Sequence, residues 1–115
     1  MQTVAALREE LLAKVGQDLA IAKELAHTMQ INHRADADAL LLAARDARWA
    51  DARRLAHRIL NTAQLLGCPV LADLSLRVEE TLAREDGPAR EQLLPEYLSA
   101  VSELNGVLDR VSRTF

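Results

Sequence analysis

A chain of 115 residues is long enough for one domain around one modest core, and a formal net charge of −3 gives no field that would attract nucleic acid. Half of the residues are hydrophobic but only 3% are aromatic, so the core has to be built from Leu, Ala, Val and Ile. That composition suits packed helices, and no alternating run of β-branched and aromatic residues suggests a strand.

The first helix is expected from about Val4 to Ala13, with Val4, Leu7 and Leu11 on one stripe. Gly16 interrupts it, and Asp18 sits where a carboxylate favours a new helix start. The second helix runs from about Gln17 to Ala44, with Leu19, Ala22, Ala26, Met29, His33, Leu40 and Ala44 at helical spacing and a break near His33 allowed. The junction Asp46–Trp49 lacks Gly and Pro and is read as a tight turn. The third helix then reaches Leu66, where Gly67-Cys68-Pro69 marks a stop and a restart.

The fourth helix covers about Pro69 to Ala83, with Leu71, Leu74, Val78 and Leu82 as its stripe. After Arg84–Pro88, a final helix reaches Val111, entered through a short turn before Pro95, because proline kinks a helix interior. Short connections favour antiparallel neighbours. The expectation is therefore one domain over residues 1–115, all-α, an antiparallel four-helix bundle with a short additional N-terminal helix.

No run approaches the roughly 18 apolar residues of a membrane span, and no basic segment followed by an apolar signal core is evident at the amino end. The single Cys68 excludes an internal disulfide framework, so a reduced, cytoplasmic setting is expected. No contact with membrane or nucleic acid is expected, and the domain is expected to be a monomer. His27, His33, His57 and Cys68 form no close-spaced metal motif, and no Gly-rich phosphate loop occurs. Neither a cofactor nor autonomous kinase activity is expected.

The third helix carries the informative segment. At about 100° per residue, Ala52, Leu55, Ala56, Ile59, Ala63 and Leu66 share the core face. His57 lies well off it, with Arg53, Leu60, Asn61 and Gln64 as surface neighbours three, four or seven residues away. Arg58 adjoins it in sequence. An exposed imidazole retains a useful unprotonated fraction near neutral pH, which leaves a nucleophilic ring nitrogen. His33 falls on the apolar stripe and is expected to be a hydrogen-bonded structural histidine. Leu60 is read either as packing at the core edge or as part of an apolar docking patch with Leu65 and Leu66.

The order Ala56, His57, Ile59, Ala63 and Gly67 resembles the signature of histidine phosphotransfer domains, Ala-His-x-Leu/Ile-Lys-Gly-x-Ala-x-x-x-Gly. The upstream Ala43–Trp49 segment is similar to the family's junction before the histidine helix, and Val78-Glu79 stands where the family has an apolar-Glu pair. The resemblance extends loosely over residues 5–111 and is nearest to modules at the ends of hybrid sensor kinases. The family's Lys after the histidine is Leu60 here, and its Gly is Asn61.

The resemblance implies a bacterial phosphorelay intermediate. His57 would accept a phosphoryl group from the aspartate of one response-regulator receiver domain and pass it to another. It implies receiver domains as partners, with the rest of a hybrid kinase as a further candidate partner and Mg²⁺ belonging to the receiver. Arg53, Arg58, Asn61 and Gln64 are candidates to replace the missing Lys-Gly pair, Arg53 with the better spacing. Two alternatives stand beside it. One is a phosphotransfer-like fold that binds a receiver or other signalling protein without efficient transfer. The other is a helical scaffold or dimerisation domain.

Overall fold

Residues 3–115 are described by a computed structural model, and every regular element among them is a helix. These are α1 (Val4–Lys14), α2 (Leu19–Arg45), α3 (Trp49–Leu65), α4 (Pro69–Ala83) and α5 (Gly87–Ser112). One short N-terminal helix thus precedes four longer ones. Three starts are capped by side chains that satisfy an otherwise orphaned backbone N–H. Thr3 Oγ1 accepts from Ala6 N, Asp18 Oδ1 from Ile21 N and Asp86 Oδ1 from Ala89 N, each at 3.1 Å.

The α2 and α3 ends are closed by the same pair of backbone bonds. Arg48 N donates to Ala43 O and Ala47 N to Ala44 O, as Cys68 N donates to Ala63 O and Gly67 N to Gln64 O. This closure needs a left-handed residue, and glycine supplies it at Gly67 (φ 67°). At the first junction Ala47 takes the same conformation (φ 54°) at a cost of about 1 kcal/mol. The turn therefore forms without the glycine that would have announced it.

Pairs across the turns show the chain direction. Asp36 meets Arg58, His57 meets Glu79, and Ser75 meets Tyr97, each pair lying about equally far on either side of its turn. Successive long helices are therefore antiparallel. α2 packs on α3, α3 on α4, α4 on α5 and α5 on α2, and across the diagonal the Arg90 guanidinium of α5 lies 4.1 Å from the centre of the Trp49 ring at the start of α3. α1 packs on α2 and α5, and Arg8 Nε donates to Thr114 Oγ1 while its guanidinium lies over the Phe115 ring.

α2 runs through His33 without a break. His33 is buried, and its Nε2–H donates to the Val101 carbonyl at 3.0 Å, which ties α2 to α5. α5 departs from expectation. It begins at Gly87 rather than after a turn before Pro95, and it carries Pro95 in its interior. Pro95 is exposed, as is Glu91, whose carbonyl loses its helical partner, so water can serve the orphaned oxygen.

Candidate functional site

His57 is the middle residue of α3, away from the partial charges of either helix end. The expected core face holds: Ala52, Leu55, Ala56, Ile59, Ala63 and Leu66 are all buried. Three of these are alanines, and such small residues let neighbouring helices approach α3 closely. Burial of this face turns the opposite side, with Arg53, His57, Asn61 and Gln64, to solvent.

The His57 side chain is 61% exposed and leans toward α4, where its Nδ1 lies 2.9 Å from Glu79 Oε1. A carboxylate oxygen can only accept, so Nδ1 carries the proton. In the neutral ring the lone pair then belongs to Nε2, which has no protein partner among the described residues. The Glu79 side chain is only 18% exposed, held between the two helices. Sequence alone marked Glu79 as a family-like position and offered no means of joining it to His57. The joining depends on the antiparallel register of α3 and α4.

Arg58 goes the other way. Its Nε lies 3.2 Å from Asp36 Oδ1 on α2, and that carboxylate is largely buried. The guanidinium is therefore committed to the α2 flank, opposite the one to which His57 leans. Arg53, one turn before His57, makes no ion pair among the described residues. Asn61 and Gln64 are exposed on the His57 side.

Leu60 is not a surface neighbour of His57. It is 6% exposed, and Leu66 is fully buried, so the apolar patch with Leu65 does not form. The reason is helix geometry. Leu60 lies about 60° from His57 on the flank that His57–Glu79 identifies as facing α4, and α4 covers it. A different apolar side chain is exposed near the pair: Leu76, one turn before Glu79 on α4.

The His57 surface is a helix flank rather than a cleft. The apolar concavity lined by Cys68, Val70, Leu71, Leu104 and Val107 lies between the start of α4 and α5 and does not include His57. Among the described residues no three His, Cys, Asp or Glu side chains gather as a metal-binding group, and no helix is long and apolar enough to cross a membrane. An exposed nucleophilic nitrogen on an open flank suits a reactant delivered by another macromolecule.

No protein-family model, curated protein or solved structure matches the chain.

Proposed function

We propose that this chain is a histidine phosphotransfer domain in which His57 is the phosphoryl carrier. The observation that carries the proposal is the exposed His57 whose Nδ1–H is held by Glu79, which leaves Nε2 as the free nucleophile. The family-like order of Ala56, His57, Ile59, Ala63 and Gly67, on a helix of an antiparallel bundle, supports the same reading.

The chemistry follows from the ring. Nε2 attacks the phosphorus of an aspartyl phosphate on a receiver domain. The new N–P bond forms as the P–O bond to the aspartate breaks, and the aspartate leaves as a carboxylate. Nδ1 keeps its proton throughout, and the Glu79 carboxylate offsets the positive charge that the ring gains. Reversal onto a second receiver returns His57 to its starting state. Arg53, exposed one turn before His57, would meet the phosphoryl oxygens, and the receiver would supply its own Mg²⁺. The chain contributes position and electrostatics and needs no nucleotide.

A second reading is favoured by one observation. Leu60, where the family has its lysine, is buried, so the flank beside His57 lacks that cation. On this reading the fold docks a receiver without efficient transfer.

Incubation with phosphorylated receiver domains from the same organism separates the two. Transfer predicts acid-labile, base-stable label on the wild-type chain and none on His57→Gln. Receiver binding without label supports the docking reading, and label persisting in His57→Gln overturns the site.

A further inference from the structure

The seam between α2 and α5 holds two buried acceptors that the chemistry at His57 does not use. His33 is 1% exposed, and its Nε2 lies 3.0 Å from the Val101 carbonyl oxygen. A carbonyl can only accept, so Nε2 carries the proton and the lone pair of the neutral ring is on Nδ1. Burial, which lowers the pKa of this ring, favours that neutral form. Nδ1 is buried with no hydrogen-bond partner among the described residues, and the same is true of Asn105 Oδ1.

Helix geometry brings these two atoms to one place. Inside α5 the Val101 carbonyl is the acceptor for the backbone N–H of Asn105, four residues on. The His33 ring that bonds this carbonyl therefore lies beside the backbone of Asn105. Val101, Asn105, Asp109 and Ser112 also form one stripe of α5, and the other three members all bond α2. Val101 bonds His33, Asp109 Oδ1 accepts from Gln30 Nε2 at 2.7 Å, and Ser112 Oγ donates to Gln30 Oε1 at 3.1 Å. Both ends of the Gln30 amide are thus engaged. Asp36, three residues beyond His33, is a carboxylate paired with Arg58 and has no hydrogen to offer.

We propose that one buried water molecule binds in the α2–α5 seam, donating one hydrogen to His33 Nδ1 and the other to Asn105 Oδ1. Two acceptors cannot bond each other, and an interior acceptor without a donor destabilises the fold. Water is the smallest molecule with two hydrogens to give, and a polar interior site of this kind is where buried water is retained. A metal ion would need more ligands, and no three His, Cys, Asp or Glu side chains gather among the described residues. Asn105 is only half-buried, so the outer edge of its amide gives water a way in. The water then holds His33 in its Nε2–H tautomer and joins the ring to a second turn of α5.

The test uses the full chain, labelled with ¹⁵N and ¹³C. The ring Hε1 of His33 is bonded to the carbon between the two nitrogens and is not a solvent-exchanging proton. A cross-peak between Hε1 and water, of opposite sign in laboratory-frame and rotating-frame Overhauser spectra, therefore reports a water held beside the ring. Wild type is expected to show this peak, with His33 protonated at Nε2. Asn105→Leu, which removes one of the two acceptors, should lose the peak in a chain that remains folded by circular dichroism. If Asn105→Leu does not fold, the wild-type spectra decide alone. Absence of the peak in wild type overturns the inference, as does a peak that persists in folded Asn105→Leu. A through-bond coupling between Asn105 Nδ2 and His33 Nδ1 also overturns it, because the amide would then serve the ring directly.

Discussion

His57 and Arg58 are neighbours in sequence but are bonded to opposite sides of α3, His57 to Glu79 on α4 and Arg58 to Asp36 on α2. Successive residues on a helix are separated by about 100°, so one step along the chain is enough to change the partner helix. The two bonds have different consequences. One orients a reactive ring, and the other closes a carboxylate into the α2–α3 seam.

Arg53→Ala and Arg58→Ala should therefore behave differently. Removing Arg53 takes a cation from the His57 flank and should slow phosphoryl acceptance by about fivefold, the equivalent of ~1 kcal/mol, with little change in stability. Removing Arg58 leaves Asp36 unpaired with its side chain 10% exposed. That should lower stability by about 1–3 kcal/mol while label transfer stays near wild type. Urea denaturation and label kinetics on both variants check the split, and the reverse pattern would show that Arg58 is the residue that serves the phosphoryl group.

Restoring the family's lysine at position 60 should not repair the site. Leu60→Lys places an ammonium in a position that α4 covers, at a cost of about 1–3 kcal/mol. A lower urea midpoint without faster labelling is expected. An unchanged midpoint would mean that the α3–α4 seam opens at that point.

His33 makes stability depend on pH. Burial lowers its folded pKa below the ordinary value of 6.5, against smaller opposing effects from the Val101 carbonyl and from Asp36. Above 6.5 both folded and unfolded chains hold the ring neutral. As pH falls below that value the unfolded chain binds a proton that the folded chain resists, so stability declines until the folded pKa is passed. His33→Gln should flatten this decline. Urea midpoints at stepped pH, compared between the two chains, measure it, and parallel curves would exclude His33 as the cause.

Pro95→Ala should stabilise the protein. The substitution restores a backbone donor to the Glu91 carbonyl inside α5 and removes the proline ring from a helix interior. Greater unfolded-state freedom offsets part of the gain, and a net increase of about 1–2 kcal/mol is expected. A midpoint that falls would indicate that the proline ring itself is needed for the packing of α5 on α4 or α2.

Much of this was legible along the chain. The spacing of Leu55, Ala56, Ile59 and Ala63 sets the buried side of α3, and it places His57 outside with no knowledge of the neighbours. Gly67 and Pro69 mark the α3–α4 turn because a left-handed closure and a first-turn proline are local requirements. Asp18 caps α2 for the same local reason.

Other features were decided only when the helices met. Ala47 adopts a glycine-like conformation because the packed helices on both sides outweigh its steric cost. Pro95 is tolerated because its side of α5 is wet. Leu60 is buried because α4, rather than solvent, lies on its flank. The partner of His57 comes from the register of two antiparallel helices, which brings Glu79 to within 2.9 Å from a place 22 residues further along the chain. Local periodicity determines which residues face outward. Which of them touch depends on the rotation and sliding of whole helices, and those are set by packing summed over many residues.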